Sequence, residues 1–312
     1  MAIKFYEENG QFHLYNEEIS YIFKILKNGQ LGHLYYGKRL TDIPDYGHLV
    51  EESRRDMAAC PTEEDNFFSL ESARQEYPTY SNGDVRYGAY EVLWENGSSI
   101  TEFVYKSHRI YDGKESLSGL PATYVEDSKE AETLEIVLQD KKEDVKIVLS
   151  YTIFRDYPVI TKNVRFINDS SKKITLLSAM TSCVDFSDKE FVMVDLAGAW
   201  SRERNIREHK LDYGVQSVHS MRGCSSHQFN PFLALKREHT DEFQGEIYGF
   251  SFVYSGNFLA QVEVDDYDVT RVLLGIHPNG FRWELGRGEE FQTPEAVLAY
   301  SDQGMNRMSQ VY

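Results

Sequence analysis

Few residue groupings in this 312-residue sequence have the spacing that catalysis or metal binding requires. The nine histidines include no His-Glu-x-x-His motif and no close pair at metal-ligand spacing, so we expect no zinc site. The sequence also contains no Gly-x-Ser-x-Gly nucleophile elbow, no phosphate-binding loop and no Cys-x-x-Cys pair. These absences leave catalysis unsupported but do not exclude it; the motifs identify no catalytic residue, and we expect no metal and no cofactor.

The acidic residues and the cysteines form no recognisable set either. Runs such as Glu63-Glu64-Asp65 and Asp265-Asp266 are typical of solvated loops. Paired carboxylates can cleave a glycosidic bond, but only a fold places them at the required separation. Cys60, Cys183 and Cys224 are far apart and odd in number, which favours reduced thiols over a disulfide framework.

Trp200 is the strongest candidate for a ligand-facing residue. It stands on a Gly-rich turn between charged residues, not in an alternating apolar run. An indole can cover the apolar face of a flat ligand such as a sugar ring, while polar neighbours bind the hydroxyl groups. The alternative, in which Trp200 packs beneath its own loop, stays open.

Polar residues beside Trp200 are weaker candidates. Arg202 and Arg204 could hydrogen-bond a glycan, but we expect them to pair within the chain, with Glu203 or Asp195.

Two further polar residues lie in a loop of small residues. His227 and Asn230 could bind a ligand there, although such residues more often satisfy backbone groups at a turn.

The elements that must position these residues are strands, because apolar residues alternate with a period of two. Residues 145–154 and 258–264 have the pattern of half-buried strands. Asn28-Gly29 and Asn96-Gly97 are typical of two-residue type I′ hairpin turns. They predict hairpins of 20–27 with 30–36 and of 89–95 with 98–105, and further hairpins are expected at 168–171 and 255–257.

Helical patterns are scarce, and the best one covers residues 69–74. Residues 41–66 are expected to form a long irregular excursion, which is typical of functional or neighbour-contacting loops. Trp94 and Trp283 lie in alternating runs and are predicted to be core residues. We predict one all-β domain over residues 1–312, a large antiparallel sandwich with little helix.

Composition narrows the possible partners. The chain carries 33 basic and 50 acidic residues, a net charge of −17, which disfavours nucleic acids and anionic membranes. No apolar run approaches the ~18 residues of a membrane span, and no apolar leader follows Met1. We therefore expect a cytoplasmic location. Aromatic residues make up 13% of the chain, enough for a large β core and for stacking surfaces.

Six dense, turn-rich clusters combine aromatic and polar residues. They are QEYP at 75–78, GLPATYVE at 119–126, GAWSRER at 198–204, SSHQFNPF at 225–232, GFSFVYSGN at 249–257 and QTPE at 292–295. In this order, from about Phe12 to Tyr312, they resemble the amino-terminal domain of glycoside hydrolase family 36, the bacterial α-galactosidases that cleave melibiose and raffinose.

The resemblance implies a galactose mutarotase-like β-supersandwich that precedes a (β/α)₈ barrel. Two barrel aspartates would perform the retaining chemistry, and the enzymes would be tetramers in which this domain reaches toward a neighbouring active site. The chain stops at Tyr312, where the barrel would begin, and the Lys-x-Asp at 210–212 is in the wrong context for the nucleophile. We therefore expect both catalytic aspartates to be absent.

The resemblance also suggests binding residues. In an α-galactosidase Trp200 would stack on a galactose ring with Arg202 beside it. An aspartate in the 41–66 excursion, aligned with Asp56 next to Arg55, would shape an outer sugar subsite, and the alternative is that Arg55 and Asp56 form an ordinary solvated pair. The arginine that the family carries just before its Phe-Ser-Leu is not reproduced, because Asn66-Phe67 stands there. That difference sets this subsite apart from the family pattern.

Three functions are consistent with the sequence. The first is a non-catalytic domain of an α-galactosidase, which shapes the sugar pocket and the oligomer. The second is a stand-alone carbohydrate-binding module. The third is a mutarotase-like sugar epimerase, for which His227 and Glu246 would be the acid and the base.

Overall fold

Alternating apolar side chains form strands along most of the chain in a computed structural model that describes residues 1–52, 60, 65, 67–81 and 83–312. In chain order the elements are β1 (Ala2–Tyr6), β2 (Gln11–Tyr15), β3 (Ile19–Ile25), β4 (Leu31–Lys38), β5 (Tyr90–Trp94), β6 (Phe103–Asp112), β7 (Ala131–Asp140), β8 (Val145–Phe154), β9 (Val159–Asn168), β10 (Ile174–Phe186), β11 (Val192–Ala199), β12 (Arg202–Lys210), β13 (Gly214–Ser220), β14 (Phe229–Lys236), β15 (Ile247–Val253), β16 (Phe258–Val264), β17 (Thr270–Ile276), β18 (Trp283–Leu285), β19 (Glu289–Gln292), β20 (Glu295–Ser301) and α1 (Gly304–Val311). Short 3₁₀ turns lie at Glu7–Asn9, Gly47–Leu49 and Ser128–Glu130.

The strands form three sheets. A four-stranded sheet runs β1-β2-β3-β4, and a six-stranded sheet runs β13-β16-β17-β10-β18, with β5 also paired to β10. A ten-stranded sheet runs β12-β11-β14-β15-β20-β9-β8-β7-β6, with β19 also paired to β9. All three contribute side chains to one buried apolar cluster, for example Phe12, Phe166 and Phe258. The predicted all-β antiparallel supersandwich with little helix is therefore confirmed.

The two strands predicted from alternation form as β8 and β16. In β16 one face is buried, with Phe258, Ala260 and Val262 in the core, as predicted. In β8 side chains on both faces are buried, and on the face away from the core the Thr152 hydroxyl bonds that of Thr133 on β7 at 2.8 Å. The prediction of a half-buried strand is wrong for β8.

One of the four expected hairpins is confirmed. Strands β3 and β4 pair across Asn28-Gly29, but the turn is a three-residue loop closed by Leu26 and Gln30. Gly29 has φ 87°, while Asn28 is not among the described residues with positive φ, so the type I′ prediction is wrong. Asn96-Gly97 makes a similar tight turn, closed by the Trp94 N–H donating to the Ser98 carbonyl oxygen at 2.8 Å, but the ladder of β5 is with β10 and does not continue into residues 99–105.

The other two expected hairpins are crossovers between sheets. Near residues 168–171 the chain leaves β9 of the ten-stranded sheet and enters β10 of the six-stranded sheet. The buried Asn168 amide fixes this corner by donating to the carbonyl oxygens of Lys172 and Leu285, at 2.8 and 2.9 Å. The chain changes sheets again at 255–257, between β15 and β16. The sequence predicted both turns correctly, but it did not predict which sheet the following strand joins.

Helix and core predictions also need correction. Residues 69–74 form turns with a single Ala73 N–H to Ser69 carbonyl bond, and the only α-helix in the described ranges is α1. Trp283 is 49% exposed because β18 is a short edge strand, so it is not a core residue. Trp94 is half-buried against the core. No helix in the portion covered by the structure is long and apolar enough to span a membrane.

A buried carboxylate, Glu76, joins the sheets. Its Oε1 accepts hydrogen bonds from the hydroxyls of Tyr21 and Tyr151, at 2.7 and 3.0 Å, and from Lys162 Nζ at 2.7 Å, while Oε2 lies 2.9 Å from His33 Nδ1. Burial alone would raise the pKa of Glu76, but Lys162 and His33 more than offset burial and lower it. The four partners lie on β3, β8, β9 and β4, so one side chain connects two sheets.

A second buried pair fixes the six-stranded sheet. Arg271 on β17 donates to both oxygens of Asp185 on β10, each at 2.8 Å, and lies 3.0 Å from Asp84. Burial would raise the pKa of Asp185, but Arg271 and Arg86 lower it from 3.8 to about 2. This pair ties the segment that precedes β5 to the sheet.

We predict that Glu76→Gln destabilises the fold by about 3–5 kcal/mol, because it leaves the Lys162 ammonium buried without a counter-charge. Chemical denaturation should show this loss as a lower midpoint. The exposed Glu290→Gln serves as control and should stay within about 0.5 kcal/mol of the parent. A Glu76→Gln protein as stable as its control would contradict this assignment.

The depressed pKa of Asp185 predicts an acid-sensitive fold. Its contribution, about 2 kcal/mol, is fully present above its ordinary pKa of 3.8 and disappears as the pH falls through about 2. The free energy of unfolding should therefore decline across that window. In Asp185→Asn the protein should be less stable at neutral pH and its decline between pH 3.8 and 2 shallower, and an unchanged acid limb would refute the prediction.

Candidate functional site

Trp200 lies at the tip of the hairpin formed by β11 and β12. Its side chain is 82% exposed, so the alternative of local packing beneath the loop is wrong. The tip is held in an unusual backbone conformation, with positive φ at Ser201 (64°) and Arg204 (56°). Such values are uncommon for residues other than glycine and occur often at functional sites.

Gly198 explains how the tip closes. The pairing of β11 with β12 shifts register between Ala197 and Ala199, and a Cβ on Gly198 would lie 2.4 Å from the Arg202 carbonyl oxygen. Only glycine permits this approach of the two backbones. The close turn keeps Trp200 outside the sheet.

Arg202 is exposed next to Trp200 and, within the ranges covered by the structure, pairs with no acid. The expected pairing of Arg202 or Arg204 with Asp195 is wrong, because Asp195 faces its cross-strand neighbour Arg207. Arg207 Nη2 lies 2.8 Å from Asp195 Oδ1, and His209 Nε2 lies 3.2 Å from Oδ2. Glu203 instead accepts the Ser201 N–H at 2.9 Å. The Arg202 guanidinium thus keeps its donors for a ligand or another surface.

Trp200 and Arg202 stand on an open surface. Neither lines the cavity of about 570 Å³ beside Tyr312, nor the cavities of about 390 and 350 Å³ elsewhere. A pocket around Trp200 therefore needs a second surface that this part of the chain does not supply.

Arg55 and Asp56 lie outside the described residues, so their role at an outer subsite stays a prediction. The excursion is irregular over residues 41–52, apart from one 3₁₀ turn, as expected. Asp42 anchors its start, since it accepts a hydrogen bond from the Tyr6 hydroxyl at 2.8 Å and contacts His13 Nδ1 at 2.9 Å.

His227 and Glu246 cannot act as an acid–base pair. His227 precedes the start of β14, whereas Glu246 lies beside the opposite end of that strand, next to Arg237. Eight residues of strand separate the two ends, roughly 26 Å at about 3.3 Å per residue. Glu246 also accepts the Tyr300 hydroxyl at 2.8 Å. The structure excludes this pair as the centre of a mutarotase-like site.

Three antiparallel sheets around one core, with an exposed aromatic hairpin at the edge of the largest sheet, define a β-supersandwich domain with a surface-borne candidate site. The model of the glycosyl hydrolase family 36 N-terminal domain matches residues 29–286. The α-galactosidase AgaA of Geobacillus stearothermophilus is 48% identical over 312 residues, which cover all of this chain and 43% of AgaA. This chain belongs to the glycosyl hydrolase family 36 N-terminal domain family.

Solved structures agree with this assignment. AgaB, a family 36 α-galactosidase of Geobacillus stearothermophilus, superposes with a TM-score of 0.95 at 48% identity, over 100% of this chain and 42% of AgaB. An AgaA variant in complex with raffinose gives a TM-score of 0.94 at 50% identity, over 97% of this chain and 42% of that one. The chain thus spans less than half the length of these relatives.

Proposed function

We propose that this chain is the non-catalytic amino-terminal domain of an α-galactosidase that hydrolyses terminal α-galactosides of the melibiose and raffinose type with retention. The observation that carries this proposal is the match to AgaA and AgaB over the full chain but only 42–43% of theirs. AgaA has been solved in complex with raffinose, which supports an α-galactoside as the substrate class.

In this proposal residues 1–312 form one supersandwich domain, and a (β/α)₈ barrel in the remainder of the polypeptide supplies the two catalytic aspartates.

The role of this domain is to wall the sugar pocket and to support a cytoplasmic homo-oligomer, which we propose to be a tetramer. The open position of Trp200 and Arg202 supports this role, because a barrel or a neighbouring subunit would complete the pocket. Arg55 and Asp56, in the excursion, are proposed to contribute to the same wall. The β12 edge of the ten-stranded sheet is exposed and could carry part of the contact.

The exposure of Trp200 also favours a second candidate, a stand-alone carbohydrate-binding module. Such a module would bind α-galactosides at Trp200 without any other chain. Titration calorimetry of the 312-residue chain with raffinose distinguishes the two functions. Binding that is lost in Trp200→Ala would favour the module.

The 312-residue chain should neither hydrolyse p-nitrophenyl α-D-galactopyranoside nor accelerate galactose anomer interconversion. Absorbance and polarimetry measure these two activities, and the natural full-length polypeptide is the positive control for hydrolysis. Turnover by the 312-residue chain would refute the non-catalytic assignment. If the mass of the natural polypeptide matched 312 residues, the protein would contain no barrel domain and this part of the proposal would be wrong.

In the full-length enzyme, Trp200→Ala should raise KM for raffinose roughly 3–10-fold with little change in kcat, because a stacking contact of about 0.5–1.5 kcal/mol is lost. Phe243→Ala is the matched control, since Phe243 is 79% exposed on a different turn. It should leave both constants unchanged. Equal effects of the two substitutions would show that Trp200 does not face the sugar.

A further inference from the structure

A cavity of about 390 Å³ lies between residues 79–80 and 85–88 on one side and the outer face of the six-stranded sheet on the other. On β16, Phe258, Ala260 and Val262 face the core, so Leu259 and Gln261 point to the opposite face and line this cavity. Its volume falls within the roughly 300–1,000 Å³ of small-molecule sites. None of the residues assigned to the Trp200 surface lines it.

Polar groups in this cavity lack partners. The Gln261 side chain is 5% exposed, and its Nε2 has no hydrogen-bond partner in the described chain. Glu91, Ser99 and Ser178 also line the cavity, and their side chains form no hydrogen bond within the ranges that the structure covers. A buried amide without a partner costs about 1–3 kcal/mol. A ligand or a water that supplies the missing partners explains such a group.

Aromatic rings and apolar side chains complete the lining. Tyr80 and Tyr87 are 67% and 58% exposed at the rim, and neither hydroxyl bonds another described residue. Leu259 and Leu273 form an apolar floor. Flat rings beside a few convergent polar groups suit a pyranose, which has apolar C–H faces and hydroxyl edges.

Backbone contacts hold the segment in place. The Tyr87 N–H donates to Glu263 Oε2 at 2.8 Å, and its carbonyl accepts from Arg271 Nη1 at 3.1 Å. A Cβ on Gly88 would lie 2.9 Å from the Tyr80 nitrogen, so glycine is required where the two backbones meet. The cavity is therefore preformed, and removing the Tyr87 ring leaves these anchors intact.

We propose that this cavity is a second, non-catalytic binding site for a neutral pyranose sugar. It goes beyond the proposed function, because it is separate from the Trp200 surface and needs no other domain. Arg86 and Glu91 both line the cavity, but the Arg86 guanidinium is already paired with Asp84 and Asp265, at 2.9 and 3.4 Å. Glu91 and the net charge of −17 therefore select against anionic sugars.

Saturation-transfer NMR of the 312-residue chain with methyl α-D-galactopyranoside tests this site. We expect transfer to the sugar in the parent chain and at least a fivefold weaker affinity in both Tyr87→Ala and Gln261→Leu. Tyr124→Ala is the control, at an exposed tyrosine that lines a different cavity, and Trp200→Ala is measured separately to report on the Trp200 surface. Tyr124→Ala should bind like the parent, and D-galacturonate should bind more weakly than the neutral sugar.

Gln261→Leu also reports on the amide itself. Since leucine removes an unpartnered polar group, the sugar-free variant should melt at the same temperature as the parent or higher. A drop of several degrees would show that the amide has a structural partner and would overturn the proposal.

Three other results would overturn the proposal. The first is no saturation transfer from the parent chain, which is expected if the cavity holds only water. The second is equal binding by Tyr87→Ala and the parent, and the third is loss of binding in Trp200→Ala alone. The last result would instead favour the stand-alone module. None of these outcomes alters the test of the proposed hydrolase, which rests on turnover by the full-length polypeptide.

Discussion

The architecture depends on one ionised carboxylate held far from water. Glu76 accepts hydrogen bonds from two tyrosine hydroxyls and the Lys162 ammonium, and it contacts an imidazole. Lys162 also donates to the Cys183 carbonyl oxygen of the six-stranded sheet at 2.9 Å. Strands from all three sheets therefore meet at the Glu76–Lys162 ion pair. Removing a carboxylate from water costs several kcal/mol, and only a full set of hydrogen bonds offsets that cost. Because the partners come from distant parts of the chain, the network forms only when the sheets are correctly placed, which makes it a determinant of their arrangement.

The segment that carries Glu76 also takes part in the second buried network, formed around Asp185 and Arg271. This network fixes the segment next to the outer face of the six-stranded sheet. The Gln75 N–H donates to Asp185 at 2.8 Å, and Asp84 and Arg86 join the ion pair of Asp185 with Arg271. Residues 75–81 and 83–87 are thus anchored near both ends by buried charges, next to the outer face of the six-stranded sheet where the cavity of about 390 Å³ lies.

Sequence patterns predicted the features that depend on residues close together in the chain. Alternation located the strands, and the charged neighbours of Trp200 correctly set it apart from the core. Partners that are distant in sequence were not predictable. Asn168 and the turn at 255–257 have ordinary turn chemistry, yet the chain changes sheets at both. The strands that follow are placed by distant partners, because β10 pairs with β17, β18 and β5, and β16 pairs with β13 and β17. Glu76 lies in a cluster that the sequence singled out, but its role depends on side chains from four strands. Asp195 was matched with Arg202 by proximity, whereas strand register places it opposite Arg207.

Unlike the buried networks, the Trp200 hairpin is exposed and its backbone conformation is strained. Two non-glycine residues with positive φ each cost roughly 1–2 kcal/mol, and a nearly free indole gains nothing from burial. The ion pair of Asp195 with Arg207 holds β12 against β11 despite that cost. A conformation that sacrifices local stability to keep an aromatic ring in solvent is hard to explain by folding alone. It is explained if another surface covers the ring, and the relatives, more than twice as long as this chain, have the additional polypeptide to provide one.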